Sequence, residues 1–159
     1  EDAREAPPNV VKAARAGNIG VLRDWLKIGG QANARETDGE TSFTLLTLAA
    51  GHSHERVVEL LLRHGAEINL QDGGGCTALL FAALQGHERV VDLLLLHGAE
   101  NLQASDGHTA LTAAAYHGHP AVVLQLLRAG ADMALRTADG HTALQIAKQK
   151  GHTECVAAV

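Results

Sequence analysis

Aromatic residues are nearly missing from this 159-residue chain, with Trp25, Phe43, Phe81 and Tyr116 the whole complement. A core so short of rings must be aliphatic, and the 46% hydrophobic content is accordingly mostly Leu, Val, Ile and Ala. Ala and Leu form helices best, so the composition points to an all-α protein. The scarcity of rings also removes the stacking platform of a single-strand nucleic-acid binder. No run of Lys or Arg supplies the basic footprint such binding needs, since 13 basic residues face 18 acidic ones for a net charge of -5. No apolar stretch approaches the roughly 20 residues of a membrane-spanning helix. Cysteine is limited to Cys76 and Cys155, which make no disulfide framework. Reduced thiols in the cytoplasm or nucleus are therefore the expectation. Low charge and abundant Leu exclude a disordered tail. The chain opens at Glu1 with neither a methionine nor a signal-peptide pattern, and it reads as a piece of something longer.

What the chain has in plenty is itself. Ser53 to Glu67 and Gly86 to Glu100 agree at twelve of fifteen positions with an offset of 33. Alanine pairs at Ala13-Ala14, Ala49-Ala50, Ala82-Ala83 and Ala114-Ala115, and a degenerate Ala147-Lys148, mark five copies at intervals of 36, 33, 32 and 33. The last four copies begin with a threonine before a short apolar run, at Thr44, Thr77, Thr109 and Thr142. A threonine there can accept an orphan backbone N–H and so start a helix. A Gly-His step follows at Gly86-His87, Gly118-His119 and Gly151-His152, with Ser53 replacing the glycine before His54. A second helix comes next, with Val57, Val58, Leu61 and Leu62 on one face and Glu59 and Arg63 on the other. Gly65, Gly98 and Gly130 end it as left-handed caps, and the residues beyond read as an arm with a turn at its tip. One helix pair cannot bury its apolar face alone, whereas stacked copies bury one another's.

Asp72, Gly75, Thr77, Leu79, Ala82, Ala83, Gly86, His87, Val90, Val91, Leu93 to Leu95, Gly98 and Ala99 together resemble the ankyrin repeat, and the resemblance runs from about residue 9 to the end. It implies a solenoid of stacked helix-turn-helix units with β-hairpin-like arms, forming one domain over 1–159. Expected repeats are 8–37, 38–71, 72–104, 105–137 and 138–159, the first an N-terminal cap and the last truncated. Departures are informative. Leu45, Ala78, Ala110 and Ala143 stand where the family has Pro, and Thr47, Leu80, Thr112 and Gln145 where it has a His that ties neighbouring units together. The first arm is three residues longer than usual between Glu36 and Thr44, and the third, between Gly98 and Thr109, is one shorter than the second. Asp24 takes a leucine's position in the first unit. In the fourth, Gln125 stands where Leu60 and Leu93 stand, with Leu124 turned outward; either that helix rotates or Gln125 finds a partner.

The ten histidines invite a metal reading that the register weakens. His54, His87, His119 and His152 occupy the Gly-His step, where the resemblance implies local packing; His64 and His97 share a late second-helix position; His108 and His141 share the motif DGHT. His52 and His117 make H-x-H pairs with the next histidine, but zinc needs three or four ligands on one centre. No metal and no cofactor are expected. Ser53 beside His54 lacks an orienting third residue, Cys76 has no activating surroundings, and Gly73-Gly74-Gly75 lacks the lysine of a phosphate loop. Asp38 and Glu40 lie on a solvated arm. Catalysis is not expected.

The resemblance implies that a protein or peptide partner binds the concave face, on positions stacking does not need. In register these are Arg15 and Ala16, Gly51 and His52, Leu84 and Gln85, Tyr116 and His117, Gln149 and Lys150, with Phe43, Cys76, His108 and His141 before each threonine. Phe43, Leu84 and Tyr116 are apolar or aromatic where exposure is expected, which favours an interface. The expectation is a monomeric scaffold or adaptor module that engages neither nucleic acid nor membrane. The alternative is the targeting domain of a larger enzyme. The resemblance further makes Asn69 a possible site of asparagine hydroxylation, against the plainer reading of a turn-forming asparagine.

Overall fold

The computed structural model describes residues 4–36 and 42–159, so the tip of the long first arm, with Asp38 and Glu40, lies outside the described residues. The described residues form helices in five successive pairs: α1 (Pro8–Ala16) with α2 (Ile19–Lys27), α3 (Leu45–Gly51) with α4 (Glu55–Arg63), α5 (Ala78–Gln85) with α6 (Glu88–Leu96), α7 (Ala110–His117) with α8 (Pro120–Arg128), and α9 (Ala143–Lys150) with α10 (Thr153–Ala158). The first helices start where the threonines predict. Thr44, Thr77, Thr109 and Thr142 each accept the backbone N–H three residues on, at 3.0 to 3.3 Å. In α7 and α9 the cap is reciprocal, because Thr112 and Gln145 accept the backbone N–H of Thr109 and Thr142. The residues that replace the family histidine are thus reused as local caps, with Leu80 the exception.

First helices pack on first helices and second on second, giving two layers. The inner layer is made of the alanine-rich first helices, whose Ala49, Ala82, Ala114 and Ala147 are fully buried. Small side chains let these backbones approach more closely than the leucine-bearing second helices do, so the stack curves with the first helices inside. Val57, Val58, Leu61, Val90, Val91 and Leu94 fill the space between layers and are buried. Burying each such side chain contributes about 1.5–3 kcal/mol.

Polar ties run across every unit boundary. Nε2 of His54, His87, His119 and His152 sits 2.7 to 3.0 Å from a backbone carbonyl of the preceding unit, those of Arg15, Gly51, Leu84 and Tyr116. The expectation of purely local bonding is corrected here, because the imidazole lies under the preceding unit's helix-ending glycine. An added Cβ on Gly17, Gly86 or Gly118 would come within 2.8 Å of that ring. Arms are tied too. Each described tip is a hairpin turn closed by a backbone bond, Asp72 to Cys76, Ala104 to His108 and Thr137 to His141, and neighbouring tips are joined by Ser105 to Gly74 and Ala138 to Asp106. A ladder of side chains runs beside them. Arg35 donates to the Gln71 carbonyl, Gln71 to that of Gln103, and Gln103 to that of Arg136, at 3.0 to 3.2 Å.

The Gln125 question resolves toward a partner. Val122, Val123 and Leu126 stay buried in the expected register, and Gln125 Nε2 donates to the Glu88 carbonyl at 3.0 Å and to Asp92 Oδ1 at 2.7 Å. Leu124 is left 39% exposed.

Candidate interaction groove

The arms stand beside the inner layer, and a groove runs along the angle between them. Each inner helix ends on its two variable residues just before the chain turns, so those residues face the groove's wall. The residue before each threonine cap sits at its floor, where arm meets helix.

Two pockets open into this groove. One, of about 410 Å³, is lined by Arg15, Phe43, Thr47, Leu48, Gly51, His52, Phe81 and Gln85. The other, of about 230 Å³, is lined by Cys76, Leu80, Phe81, Leu84, Ala104, Asp106, His108, Ala113, Tyr116 and His117. Phe81 belongs to both and divides them. Arg15, Phe43, His52 and Gln85 therefore meet at the first pocket, and Cys76, Leu84, His108, Tyr116 and His117 at the second. Lys150 joins the second group from the next unit, its ammonium 4.2 Å from the Tyr116 ring centre. Gln149 is exposed on the same helix, and His141 is half-buried with its backbone N–H 3.4 Å from Thr137 Oγ1; neither lines either of these two pockets.

Local contacts set how each of these side chains is presented. Phe43 is half-buried instead of open because its ring meets Phe81 edge-on at 5.6 Å. Leu84, also half-buried, packs with Cys76 against Leu80, Ala104 and Ala113, an apolar cluster separate from the main core. Tyr116 is the open one at 41% exposure, flanked by His108 at 6.3 Å and His117 at 5.0 Å between ring centres. Arg15 pairs with Glu36. His52 Nδ1 is held by the Leu48 carbonyl at 2.8 Å.

Electrostatics at the second pocket disfavour charge on Cys76 and His117. The Cys76 thiol is pushed up to about 11, first by burial and then by the carboxylates of Asp72 and Asp106. It is protonated at neutral pH and packs as an apolar group. Partial burial lowers the His117 pKa, and the neighbouring His119, His108, His152 and Lys150 lower it further. Its imidazole is therefore neutral at pH 7, with one N–H to donate and one nitrogen to accept. Among the described residues no group of three or more His, Cys, Asp or Glu could hold a metal ion, and no helix is long and apolar enough to cross a membrane. Such a groove supports non-covalent recognition by shape, apolar contact and a few oriented polar groups.

Thr47, Leu48, Leu80, Phe81, Ala104, Asp106 and Ala113 line the two pockets without having been expected from sequence. The signal was present at one register position, where Leu48, Phe81, Ala113 and Ile146 occupy equivalent places. Three large side chains and one methyl at the same place mark a gap. Asn69 is half-buried and its Oδ1 accepts the Glu100 N–H at 2.8 Å, repeating the tie from Asn33 Oδ1 to the Glu67 N–H at 2.7 Å. Its side chain already has structural work between arms. A family model described as ankyrin repeats (3 copies) matches residues 10–105 and 95–159 of the chain.

Proposed function

Because the chain belongs to the ankyrin repeat family, a family of protein–protein interaction modules, we propose that it holds a protein partner non-covalently in the groove between its arms and its inner helices, as a scaffold or adaptor. The observation that supports this reading is convergence. Residues that repeat stacking leaves free to differ, five at each, line two adjoining pockets along a single groove. Variation there is of the kind a particular partner would select, because the stacking residues beside it hardly change. The scaffold beneath is rigid, tied at each boundary by imidazole–carbonyl bonds, so little ordering entropy opposes binding. We place the binding in the cytoplasm or nucleus, on the two free thiols of Cys76 and Cys155, and by a monomer.

The test is capture from a cell lysate by the wild-type chain and by the triple variant Phe43→Ser, Leu84→Ser, Tyr116→Ser, with circular dichroism confirming that both are folded. Proteins retained by the wild type and lost by the variant support the groove. Equal retention would place binding elsewhere on the surface and refute the residue assignment. Hydroxylation of Asn69 is a separate proposal; intact mass after exposure to an asparaginyl hydroxylase should rise by one oxygen atom, and an unchanged mass would reject it.

A further inference from the structure

The pocket beside Tyr116 exists because one side chain is missing. At its place in α7, Ala113 supplies a methyl where α3, α5 and α9 supply Leu48, Phe81 and Ile146. A second substitution changes the lining, since Leu80 stands where α3, α7 and α9 carry the polar cap residues Thr47, Thr112 and Gln145, and so makes the space apolar. The resulting volume is about 230 Å³. An apolar cavity of about 150 Å³ is enough to bind a benzene ring. This one therefore accommodates a single leucine, methionine or phenylalanine side chain.

Charge around the pocket is unevenly placed. The chain as a whole is acidic, at -5, yet the two residues that end each inner helix include no carboxylate. They are Arg15-Ala16, Gly51-His52, Leu84-Gln85, Tyr116-His117 and Gln149-Lys150. Arg15 is already neutralised by Glu36. Lys150 has no carboxylate within ion-pairing distance among the described residues and lies over the Tyr116 ring, at the end of the pocket facing the last unit. A carboxylate brought there meets a cation already held in position, with His117 and Tyr116 beside it to hydrogen-bond. On the opposite rim Asp106 accepts the backbone N–H of His108 at 3.1 Å, which leaves that side acidic.

We propose that the pocket is the anchor site for an extended segment of the partner that inserts one large apolar side chain between Leu80, Leu84 and Ala113 and places an acidic residue on Lys150. The assignment rests on the groove reading and adds the partner's chemistry to it. Binding of the apolar group gives affinity, and the asymmetry between Asp106 and Lys150 sets which way the segment runs.

The experiment uses an immobilised array of acetylated nine-residue peptides in a Gly/Ser frame. Each has a central Leu, Phe, Met, Ser or Lys and, within three positions on one side, Glu, Gln or Lys. Labelled wild-type chain should be retained at least ten-fold more on Leu, Phe or Met peptides with a flanking Glu than on their Ser-centred counterparts. Ala113→Ile supplies the side chain that Ile146 carries at the equivalent place in α9, so it should fold, and it should abolish that preference. Lys150→Glu should keep the central preference and move the flanking preference from Glu to Lys. Leu84→Glu, at a half-buried position in the pocket's wall, should lose retention if Ala113→Ile proves unstable, with circular dichroism confirming that the variant is folded. Equal retention of Leu and Ser peptides, or an unchanged preference in both Ala113→Ile and Leu84→Glu, would overturn the anchor site. A flanking preference unmoved by Lys150→Glu would overturn the acidic partner. Should the triple variant lose its captured proteins while the array shows no preference, the groove stands and the anchor falls.

Discussion

Gly86 offers the sharpest test of how the units are held together, because two other positions in the chain separate the effects that its replacement would mix. Its φ is 75°, and an added Cβ would lie 2.6 Å from Nδ1 of His119. That imidazole bonds the Leu84 carbonyl across the boundary at 3.0 Å. Gly65 has a similar φ of 86° but nothing within 4 Å of an added Cβ, so Gly65→Ala measures left-handed backbone strain alone, about 1 kcal/mol. Gly86→Ala adds displacement of the imidazole, at most the net worth of its hydrogen bond, about 1 kcal/mol. The expected losses are therefore about 1 kcal/mol for Gly65→Ala and about 2 kcal/mol for Gly86→Ala. Ser53 is the natural counterpart, a non-glycine at φ 62°, above which His87 still keeps its 2.9 Å bond to the Gly51 carbonyl. Relieving that strain with Ser53→Gly should stabilise by about 1 kcal/mol, or a Tm rise of about 2–4 °C for a chain of this size. Urea unfolding followed by far-UV circular dichroism gives all three values, provided the m-value is constant, since a repeat array that loses cooperativity would change it. Equal losses at Gly86 and Gly65 would show that the histidine swings away freely and that its tie is dispensable. Destabilisation by Ser53→Gly would show that Ser53 makes a contact outweighing its backbone strain.

Leu94 of α6 is wholly buried, so Leu94→Ala should cost about 2–5 kcal/mol in the same urea assay; a loss below about 0.5 kcal/mol would mean the second-helix register is misread. Cys76, raised from 9.0 to about 11, should hold on the order of 100-fold less thiolate at pH 8 than an ordinary cysteine. Iodoacetamide labelling read by mass spectrometry should be slower than that of a free cysteine peptide by at least that factor, and a comparable rate would refute the burial. His117 is lowered, so the unfolded chain binds its proton more tightly than the folded one. Its neutral form contributes fully above the ordinary imidazole pKa, and that contribution is lost as pH falls through the ordinary value toward the lowered one. Melting temperature should thus drop from pH 7.5 to pH 5, and His117→Gln should shrink the drop; an unchanged drop would clear His117 of it.

The architecture was legible because its causes recur. A threonine that caps one inner helix caps the next three, and a period of about 33 residues aligns Val57 with Val90 and Val122, all buried. Periodicity multiplies weak local signals until they decide the fold. The same averaging hides what happens across boundaries. That His87 reaches 36 residues back to Gly51 has no local signature, because a histidine looks identical whether it bonds its own turn or its neighbour's. The arm ladder is similar. Arg35, Gln71, Gln103 and Arg136 are plain polar residues in sequence, and only the stacking distance between arms turns them into a continuous line of donors and carbonyls.

The groove was half legible for a reason that bears on reading any repeat array. Residues found by asking which positions vary, such as Tyr116, His117 and Leu84, mark the walls, because repeat stacking leaves them free to differ. A pocket, however, is made by a side chain that is too small, and smallness does not stand out in a helix reading TALTAAAYH, where Ala113 is one alanine among four. Only alignment against Leu48, Phe81 and Ile146 gives that alanine meaning. Its neighbours then complete the space from three directions: Leu80 from the adjacent inner helix, Ala104 from the preceding arm, and Asp106 from the arm's tip. The arm that carries those last two is the one shortened by a residue between Gly98 and Thr109. A deletion in an arm and a methyl in a helix thus meet at one place in the groove. If the pocket is a binding feature, restoring only the side chain through Ala113→Ile should abolish peptide preference while leaving urea stability unchanged or improved, because filling a void adds contact without breaking a tie. Loss of stability on filling it would instead mark the gap as space the fold itself requires.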